Sequence, residues 1–231
     1  MYATQIEAER TFVFGSSGLL FRSNKLMYDR QTASLWHSLT GEPVVGTLAY
    51  SGIRLKRLPV VVTTWRQWRE DHPGTKALSL RTGYTREYYP GAAYGAYFAS
   101  PETMFPVWRR SALLPAKSLV FALELNGAPK AYPLDALGRE RVVNDTLGGV
   151  AVVLVADGQG RTVRAYGRAG RVFRQGAVDG TLQDERGRAW SVSEDALVSS
   201  ESVERLERLA GHIAYWFGWF AFNPRTLIYG H

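Results

Sequence analysis

The chain has 231 residues, 45% of them apolar, and it contains no cysteine. This apolar content is enough for a folded core and excludes a disordered chain, while the missing thiols exclude disulfides, thiolate catalysis and cysteine-ligated metals. Residues 1–10 are polar and mixed in charge, unlike a secretory signal peptide. The longest strongly apolar run, residues 209–222, spans 14 residues and is too short to cross a bilayer.

The formal net charge of +7 lies almost entirely in the first half. Residues 1–116 carry 14 Lys/Arg against 8 Asp/Glu, and residues 117–231 carry 14 against 13, which gives +6 and +1. The arginines are spread over predicted turns and strand edges instead of forming a stripe, so we predict no nucleic-acid binding. The basic half favours an acidic protein partner or an anionic membrane surface.

The chain begins with short runs typical of strands. We predict strands over residues 11–15, 19–23, 26–29 and 34–39, with turns at residues 16–18 and 23–25. Val44-Val45 and residues 60–62 continue this meander towards a first helix.

Residues 63–72 and 212–222 are predicted to form two short helices that share one pattern. At a constant shift of 151 residues they match at Trp65/Trp216, Trp68/Trp219 and Thr75/Thr226. This match indicates an internal duplication. Tryptophans three positions apart share a helix face, so each pair is predicted to anchor the core of its half, the alternative being an aromatic ligand cage. Only the second helix is free of charge, so we expect it to be the more enclosed.

Residues 81–118 are rich in Tyr, Pro, Gly and Arg and follow neither the strand nor the helix period. This composition predicts a long connection that wraps over the surface. Within it, residues 84–110 are the predicted contact surface; the alternative is a segment that only joins two halves.

Strand patterns return from residue 119. Asn126-Gly127 predicts a two-residue hairpin, and residues 144–146 together with Gly148-Gly149 predict a second turn. Ala189-Trp190 repeats Leu35-Trp36 at a shift of 154 residues, while residues 119–168 have no counterpart in the first half. We therefore expect the first half to be an incomplete copy of the second.

No motif for a metal, a cofactor or catalysis emerges. The four histidines lack ligand spacing, and the glycines at 15–18 and 158–160 fit hairpin turns better than phosphate-binding loops. Asp29 and Asp145 stand beside predicted turns, where aspartate usually accepts backbone N–H bonds or pairs with arginine; an acid–base pair is the alternative. We predict no metal, no cofactor and no catalytic residue, which favours a protein that is not an enzyme.

Four longer segments carry a family resemblance: residues 18–46 (GLLFRSNKLMYDRQTASLWHSLTGEPVVG), 58–88, 122–134 (ALELNGAPKAYPL) and 142–155 (VVNDTLGGVAVVLV). They resemble the bacterial and archaeal proteins grouped as domain of unknown function 3179, or DUF3179. The likeness covers nearly the whole chain. It implies a duplicated β-rich unit, commonly exported from the cytoplasm, and no established reaction.

The same resemblance implies one departure. Typical relatives carry a Cys-Pro-x-Cys segment ahead of the equivalent of Thr11, which this cysteine-free chain lacks. The chain is therefore identified as an N-terminally shortened member. Any redox or metal chemistry of that cysteine pair is not expected here.

These observations predict a mainly β fold with a few short helices. We expect two related half-units of antiparallel strands, each closed by a tryptophan-containing helix: an incomplete unit over residues 1–80, a connection over 81–118 and a complete unit over 119–231.

The predicted function is a non-catalytic binding or assembly subunit, and the family resemblance implies a location outside the cytoplasm. It would contact a protein partner, including one in a membrane complex, without spanning the membrane. The alternative is an enzyme or small-ligand-binding protein with a polar site between the half-units. The candidate binding residues are Asp29, Arg30, Tyr84, Tyr88, Tyr89, Arg109, Arg110, Asn144 and Asp145.

Overall fold

The computed structural model describes residues 1–7, 10–89 and 91–231. It is mainly β, with 37% strand and 11% helix, and its sheets are built almost entirely from antiparallel pairs. The predicted fold class is therefore confirmed. None of the helices found in these residues is long and apolar enough to cross a bilayer.

The first part of the chain is an antiparallel meander. A small pair, β1 (Gln5–Glu7) and β2 (Arg10–Thr11), precedes a four-stranded sheet of β3 (Phe14–Phe21), β4 (Asn24–Asp29), β5 (Leu35–His37) and β6 (Pro43–Val45). Its core forms around Trp36, which is fully buried with Phe12 and Leu55.

The turn predicted at residues 16–18 is wrong. These residues lie inside β3, where the register with β4 shifts between Ser16 and Leu20. The Ser17 hydroxyl donates to the Leu26 carbonyl at 2.7 Å, so the extra residues are absorbed as a bulge within a paired strand. The two strands predicted on either side of this turn are thus one strand.

A long, sparsely structured region separates the two sheet regions. Helix α1 (Trp65–Asp71) begins after Thr64, whose hydroxyl accepts from the Gln67 amide as an N-cap. In residues 81–118, helix α2 (Gly95–Ala99) is the regular element among the described positions. The described residues of this range contain no strand.

The second part begins with a hairpin of β7 (Leu119–Leu125) and β8 (Ala128–Pro133), followed by helix α3 (Leu134–Arg139). Asn126 and Gly127 both have positive φ, at 49° and 76°, which is the geometry of a type I′ turn. The predicted hairpin is confirmed. At the end of the chain, β17 (His212–Tyr215) pairs with β7 and β18 (Leu227–Ile228) runs parallel to β8.

An eight-stranded sheet forms the largest unit. Its strands are β9 (Val142–Leu147), β10 (Val150–Ala156), β11 (Val163–Gly167), β12 (Phe173–Gln175), β13 (Thr181–Asp184), β14 (Ala189–Val192), β15 (Ala196–Ser199) and β16 (Arg205–Leu209), in the spatial order 12-13-14-15-16-11-10-9. The Asn144 side chain on β9 joins the two edges, because it bonds both backbone groups of Phe173 on β12. The sheet thereby closes on itself around buried Tyr166 and Trp190.

The turn expected over residues 144–146 is wrong, since these residues lie within β9. The chain reverses two residues later, at Gly148-Gly149, where both φ angles are positive, at 55° and 78°. Asn144 and Asp145 are consequently strand residues whose side chains point to opposite faces of the sheet.

Helix α4 (Trp216–Phe222) starts later than predicted, because residues 212–215 form β17 instead. Trp216 and Trp219 are each 1% exposed and pack on Val120, Ala122 and Ala131 of β7 and β8. The core-anchor prediction is confirmed for this pair. It is wrong for Trp65, which is 52% exposed, because α1 buries none of its side chains.

The two helices nevertheless agree in local detail. Both span seven residues, and the indole of Trp68 donates to Thr75 Oγ1 at 3.0 Å as Trp219 donates to Thr226 Oγ1 at 2.9 Å. The sheets show a similar pair. The Trp36 indole donates to the buried Asp29 carboxylate at 2.7 Å, and the Trp190 indole donates to buried Asp184 at 3.1 Å.

Candidate binding surface

The connection exposes an unusual amount of apolar surface. The stretch of residues 78–113, hereafter the exposed segment, holds eleven of the chain's large apolar side chains that are exposed: Leu78, Leu80, Tyr84, Tyr88, Tyr89, Tyr94, Phe98, Met104, Phe105, Trp108 and Leu113. Their exposed fractions run from 47% to 94%. Single exposed apolar residues are ordinary, whereas a concentration of this kind makes the segment a candidate interaction surface.

The exposed segment is fixed to the folded parts at defined points. The Ser23 hydroxyl, at the tip of the β3–β4 hairpin, donates to the Pro106 carbonyl at 3.2 Å and accepts from the Trp108 amide at 3.0 Å. Lys117 donates to the carbonyls of Ser100, at 2.6 Å, and Tyr97. These anchors hold the backbone, so the aromatic side chains do not have to provide the attachment.

The predicted site residues of this segment lie on the open surface. Tyr84, Tyr88 and Tyr89 are all exposed, and their contacts are local: Tyr88 bonds Thr82 at 3.0 Å, and the Tyr89 hydroxyl donates to Glu87 at 3.2 Å. Arg110 is exposed, and Arg109 lines a surface concavity described below.

Asp29 belongs to a buried structural network. Its carboxylate accepts from the Trp36 indole, the Thr32 amide at 2.6 Å and the Thr32 hydroxyl at 2.8 Å. Burial alone would raise the pKa of Asp29, but these hydrogen bonds outweigh it and hold the pKa below its usual value. The neighbouring Arg30 is exposed, with its guanidinium 5.9 Å from the centre of the Tyr28 ring.

Asn144 and Asp145 lie in two different environments and have different partners. Asn144 closes the eight-stranded sheet, while Asp145 accepts from Lys130 Nζ at 2.7 Å and from the Tyr132 hydroxyl at 2.8 Å. Burial would raise the pKa of Asp145, but the hydrogen bonds from Lys130 and Tyr132 lower it overall. In the described residues no hydrogen bond or ion pair joins Asn144 or Asp145 to Asp29 or Arg30.

His37 connects the first sheet to the last helix. Its ring stacks on Phe222 of α4 at a centroid distance of 3.8 Å, and its Nδ1 accepts from the Thr40 amide at 3.2 Å. Burial, followed by the nearby Arg22, lowers the pKa of His37 to about 4, so the ring is neutral near pH 7. Among the described residues no group of three or more histidines and carboxylates is arranged to hold a metal ion.

Two surface concavities differ in the charge of their lining residues. The larger, of about 1200 Å³, lies between α1 and the eight-stranded sheet. Its lining carries four arginines and four carboxylates in balance, and Arg164 is bonded to Glu194 within it. The second, of about 700 Å³, is lined by Arg22, Arg109 and Arg225 with Glu124 as the acidic group, so its lining carries an excess of positive charge.

Arg22, Phe222 and Arg225 of this second concavity were not predicted from the sequence, whereas Trp108 lies within the predicted contact surface of residues 84–110. These four residues come from a hairpin tip, the connection and the end of α4, which lie far apart along the chain. No short motif links them. The local signal was the Phe21-Arg22 pair, in which a basic residue follows an aromatic one at a turn.

The fold and surface define a class: a mainly antiparallel β protein whose two sheet regions are joined by a long, exposed aromatic connection. The chain belongs to the family described as protein of unknown function (DUF3179), whose model matches residues 1–226. No curated protein and no solved structure matches it.

Proposed function

We propose that this protein is a non-catalytic binding or assembly subunit that contacts a protein partner through the exposed segment. The observation that carries the proposal is the set of eleven exposed large apolar side chains between Leu78 and Leu113. Burying such side chains is the main favourable contribution in most protein–protein interfaces, and tyrosine, tryptophan and arginine are the residues enriched at their energetic centres.

The charge around this surface selects the kind of partner. Residues 64–113 carry seven Lys/Arg and four Asp/Glu, which gives 7 − 4 = +3. A partner that combines an apolar patch with acidic residues complements this surface. Complementary charge mainly accelerates association and rejects wrong partners.

Helix α1 supplies a second exposed region for the proposed partner. We propose that α1 and α4 descend from one duplicated unit, which is supported by their equal length, their equivalent Trp–Thr hydrogen bonds and the two Trp–Asp pairs. Helix α4 is covered by β7 and β8, whereas α1 leaves Trp65 52% exposed. A partner that covers α1 would bury Trp65, which is equivalent to Trp216, the residue of α4 that packs against β7 and β8.

Site-specific photo-crosslinking in the protein's own cells tests this proposal. A crosslinking amino acid is placed at Tyr84, Phe98 or Trp65, with Val178, which is 67% exposed in the turn between β12 and β13, as the control position. We expect the first three positions to yield one defined crosslinked partner that Val178 does not yield. A protein that elutes as a single chain and crosslinks no differently from the Val178 control contradicts the proposal.

A second test uses the purified complex. Replacing Tyr84 and Phe98 together by serine should abolish co-purification of the partner without lowering the melting temperature, because neither side chain is buried. Binding that includes charge complementarity should also weaken as salt is raised.

We also propose that the partner belongs to a membrane-associated complex outside the cytoplasm. The family resemblance supports this location, and the basic first half fits an anionic surface or an acidic subunit. Fractionation of the native protein tests it: recovery in the cytoplasmic fraction alone contradicts this part of the proposal.

A further inference from the structure

We propose that the concavity lined by Arg22, Arg109 and Arg225 binds a small organic phosphate monoester. This site shares Trp108 and Arg109 with the exposed segment, but it is a concave site for a small molecule and not a protein-binding surface. Its volume of about 700 Å³ falls within the range of about 300–1000 Å³ that is usual for ligand pockets.

The positive charge of the concavity's lining favours a ligand with two negative charges. The three arginines face one carboxylate in the lining, Glu124, which already has Arg54 at 3.6 Å. Among the described residues, no carboxylate lies within ion-pair distance of Arg22, Arg109 or Arg225. The lining therefore has an excess charge of 3 − 1 = +2. A phosphate monoester carries about −1.5 to −2 near pH 7 and offers three acceptor oxygens to guanidinium groups.

Arg22 is positioned by aromatic rings. Its guanidinium carbon lies 5.2 Å from the centre of the Phe21 ring, 5.7 Å from Phe222 and 5.9 Å from Trp108. Contacts with ring faces stabilise the cation and leave its N–H groups available to an oxyanion. Ring packing thus restricts the guanidinium before any ligand binds.

The turn that carries Arg22 is itself strained. Arg22 and Ser23 have φ of 47° and 66°, a backbone region that favours glycine and asparagine. The equivalent turn between β7 and β8 uses Asn126-Gly127. Arg22 therefore occupies a turn position at which the backbone conformation alone would favour asparagine or glycine. The next residue, Ser23, is held in place by hydrogen bonds to the backbone of Pro106 and Trp108. Strain of this kind is concentrated at binding sites.

The organic part of the ligand is assigned to the aromatic side of the concavity. Trp108 is 65% exposed and lines it beside Phe222, so a flat ring attached to the phosphate can pack against the indole. Phenyl phosphate is therefore a better probe than inorganic phosphate, and benzoate, with a single charge, is a weaker one.

Calorimetric titration of the purified protein tests the proposal. We expect phenyl phosphate to bind more tightly than inorganic phosphate and benzoate, and R22Q, R109Q and R225Q each to weaken its binding about tenfold. Trp108→Leu should weaken phenyl phosphate binding more than inorganic phosphate binding, because the indole contacts both the Arg22 guanidinium and the proposed position of the ligand ring. The control is R174Q, since Arg174 is exposed on β12 and bonds Gln183 outside the concavity.

The source of the phosphate is tested separately with phosphatidylcholine vesicles that contain phosphatidate. Binding to these vesicles that R22Q removes assigns the monoester to a lipid headgroup, and binding of phenyl phosphate alone assigns it to a free metabolite. The proposal is overturned if no phosphate probe saturates, or if R174Q loses as much affinity as R22Q. Thermal unfolding of each variant establishes that it is folded.

Discussion

Asn144 on β9 exchanges two hydrogen bonds with the backbone of Phe173 on β12. The side-chain amide donates to the Phe173 carbonyl at 2.7 Å, and the side-chain oxygen accepts from the Phe173 amide at 2.8 Å. One asparagine therefore satisfies both backbone groups of a facing strand residue. It joins the two edges of the eight-stranded sheet without a further ladder of backbone bonds.

Replacing Asn144 by alanine should destabilise the protein by about 1–3 kcal/mol, because both Phe173 backbone groups lose their partner. Chemical denaturation measures the loss. Ser191→Ala, at an exposed position on β14, is the control and should change stability by less than about 0.5 kcal/mol. Equal stability of the two variants would show that the closure contributes nothing.

Removing a tryptophan from α4 should destabilise the protein much more than removing one from α1. Trp219→Ala should cost about 3–5 kcal/mol, as expected when a large buried ring is deleted, because Trp219 is 1% exposed. Trp65→Ala should cost less than about 1 kcal/mol, because Trp65 is 52% exposed. Urea denaturation of both variants checks this, and comparable losses would mean that α1 is packed as tightly as α4.

Two adjacent glycines offer a matched test of the β9–β10 turn. An alanine at Gly148 would place its Cβ 2.1 Å from the Leu125 carbonyl oxygen, whereas at Gly149 the space is open. Both have positive φ, so each substitution incurs about 1 kcal/mol or more of backbone strain. Gly148→Ala should be the more destabilising by at least about 1 kcal/mol, measured by thermal unfolding. The reverse order would contradict the close approach of this turn to β7.

Asp184 predicts acid sensitivity. Burial would raise its pKa, but hydrogen bonds from Trp190, Arg188 and the Arg186 amide hold the pKa below its usual value. As the pH falls below about 4, the unfolded chain takes up a proton before the native carboxylate does, so this stabilisation is lost in acid. Asp184→Asn should lower stability by about 1–3 kcal/mol at pH 7, and its difference from the parent protein should shrink below pH 4.

Denaturation at a series of pH values measures this difference. Asp179→Asn, in the exposed turn before β13, is the control variant. A constant difference between Asp184→Asn and the parent protein across the acid range would count against the assigned pKa.

His212 predicts a second pH effect in a different window. Burial, with smaller contributions from Arg57 and the chain's amino group, lowers the pKa of His212 to about 3. Between pH about 6.5, the ordinary pKa of histidine, and this lowered pKa, the unfolded chain binds a proton that the native protein does not. The stability therefore decreases as the pH is lowered through this range.

His212→Phe should remove that fall, because it removes the titrating group. Neither ring nitrogen of His212 has a hydrogen-bond partner among the described residues, and its ring packs against Trp219 at 5.8 Å. The substitution should therefore change stability by less than about 1 kcal/mol at pH 7. Denaturation at pH 7 and 5 checks this, with exposed His231→Phe as the control.

Local backbone chemistry made some elements predictable. Asn126-Gly127 marks a hairpin because both positions require positive φ, and the Thr64 cap and Pro73 bracket α1 in the sequence itself. The Ser16–Gly18 error has the opposite origin: small polar residues suit a turn and a bulge equally, and pairing with β4 decides between them.

The candidate binding surface could be predicted only in part. Aromatic composition without a strand or helix period predicted a surface connection over residues 81–118, which overlaps the exposed segment. The arginine concavity depends on residues 22, 109 and 225 meeting in space, which no spacing encodes. The exposure of Trp65 was missed because its spacing equals that of Trp216, and only the covering strands distinguish the two helices.

Strand β10 is the most apolar segment of the sheet, with the sequence VAVVLVA. Such segments form fibrils when their backbone edges are free. Here β9 and β11 pair with both edges of β10, and β9 is in turn secured to β12 by a single amide. Loss of that amide would weaken the attachment of β9, which covers one edge of β10. We therefore expect this contact to affect self-association during refolding more strongly than it affects the stability of the native protein.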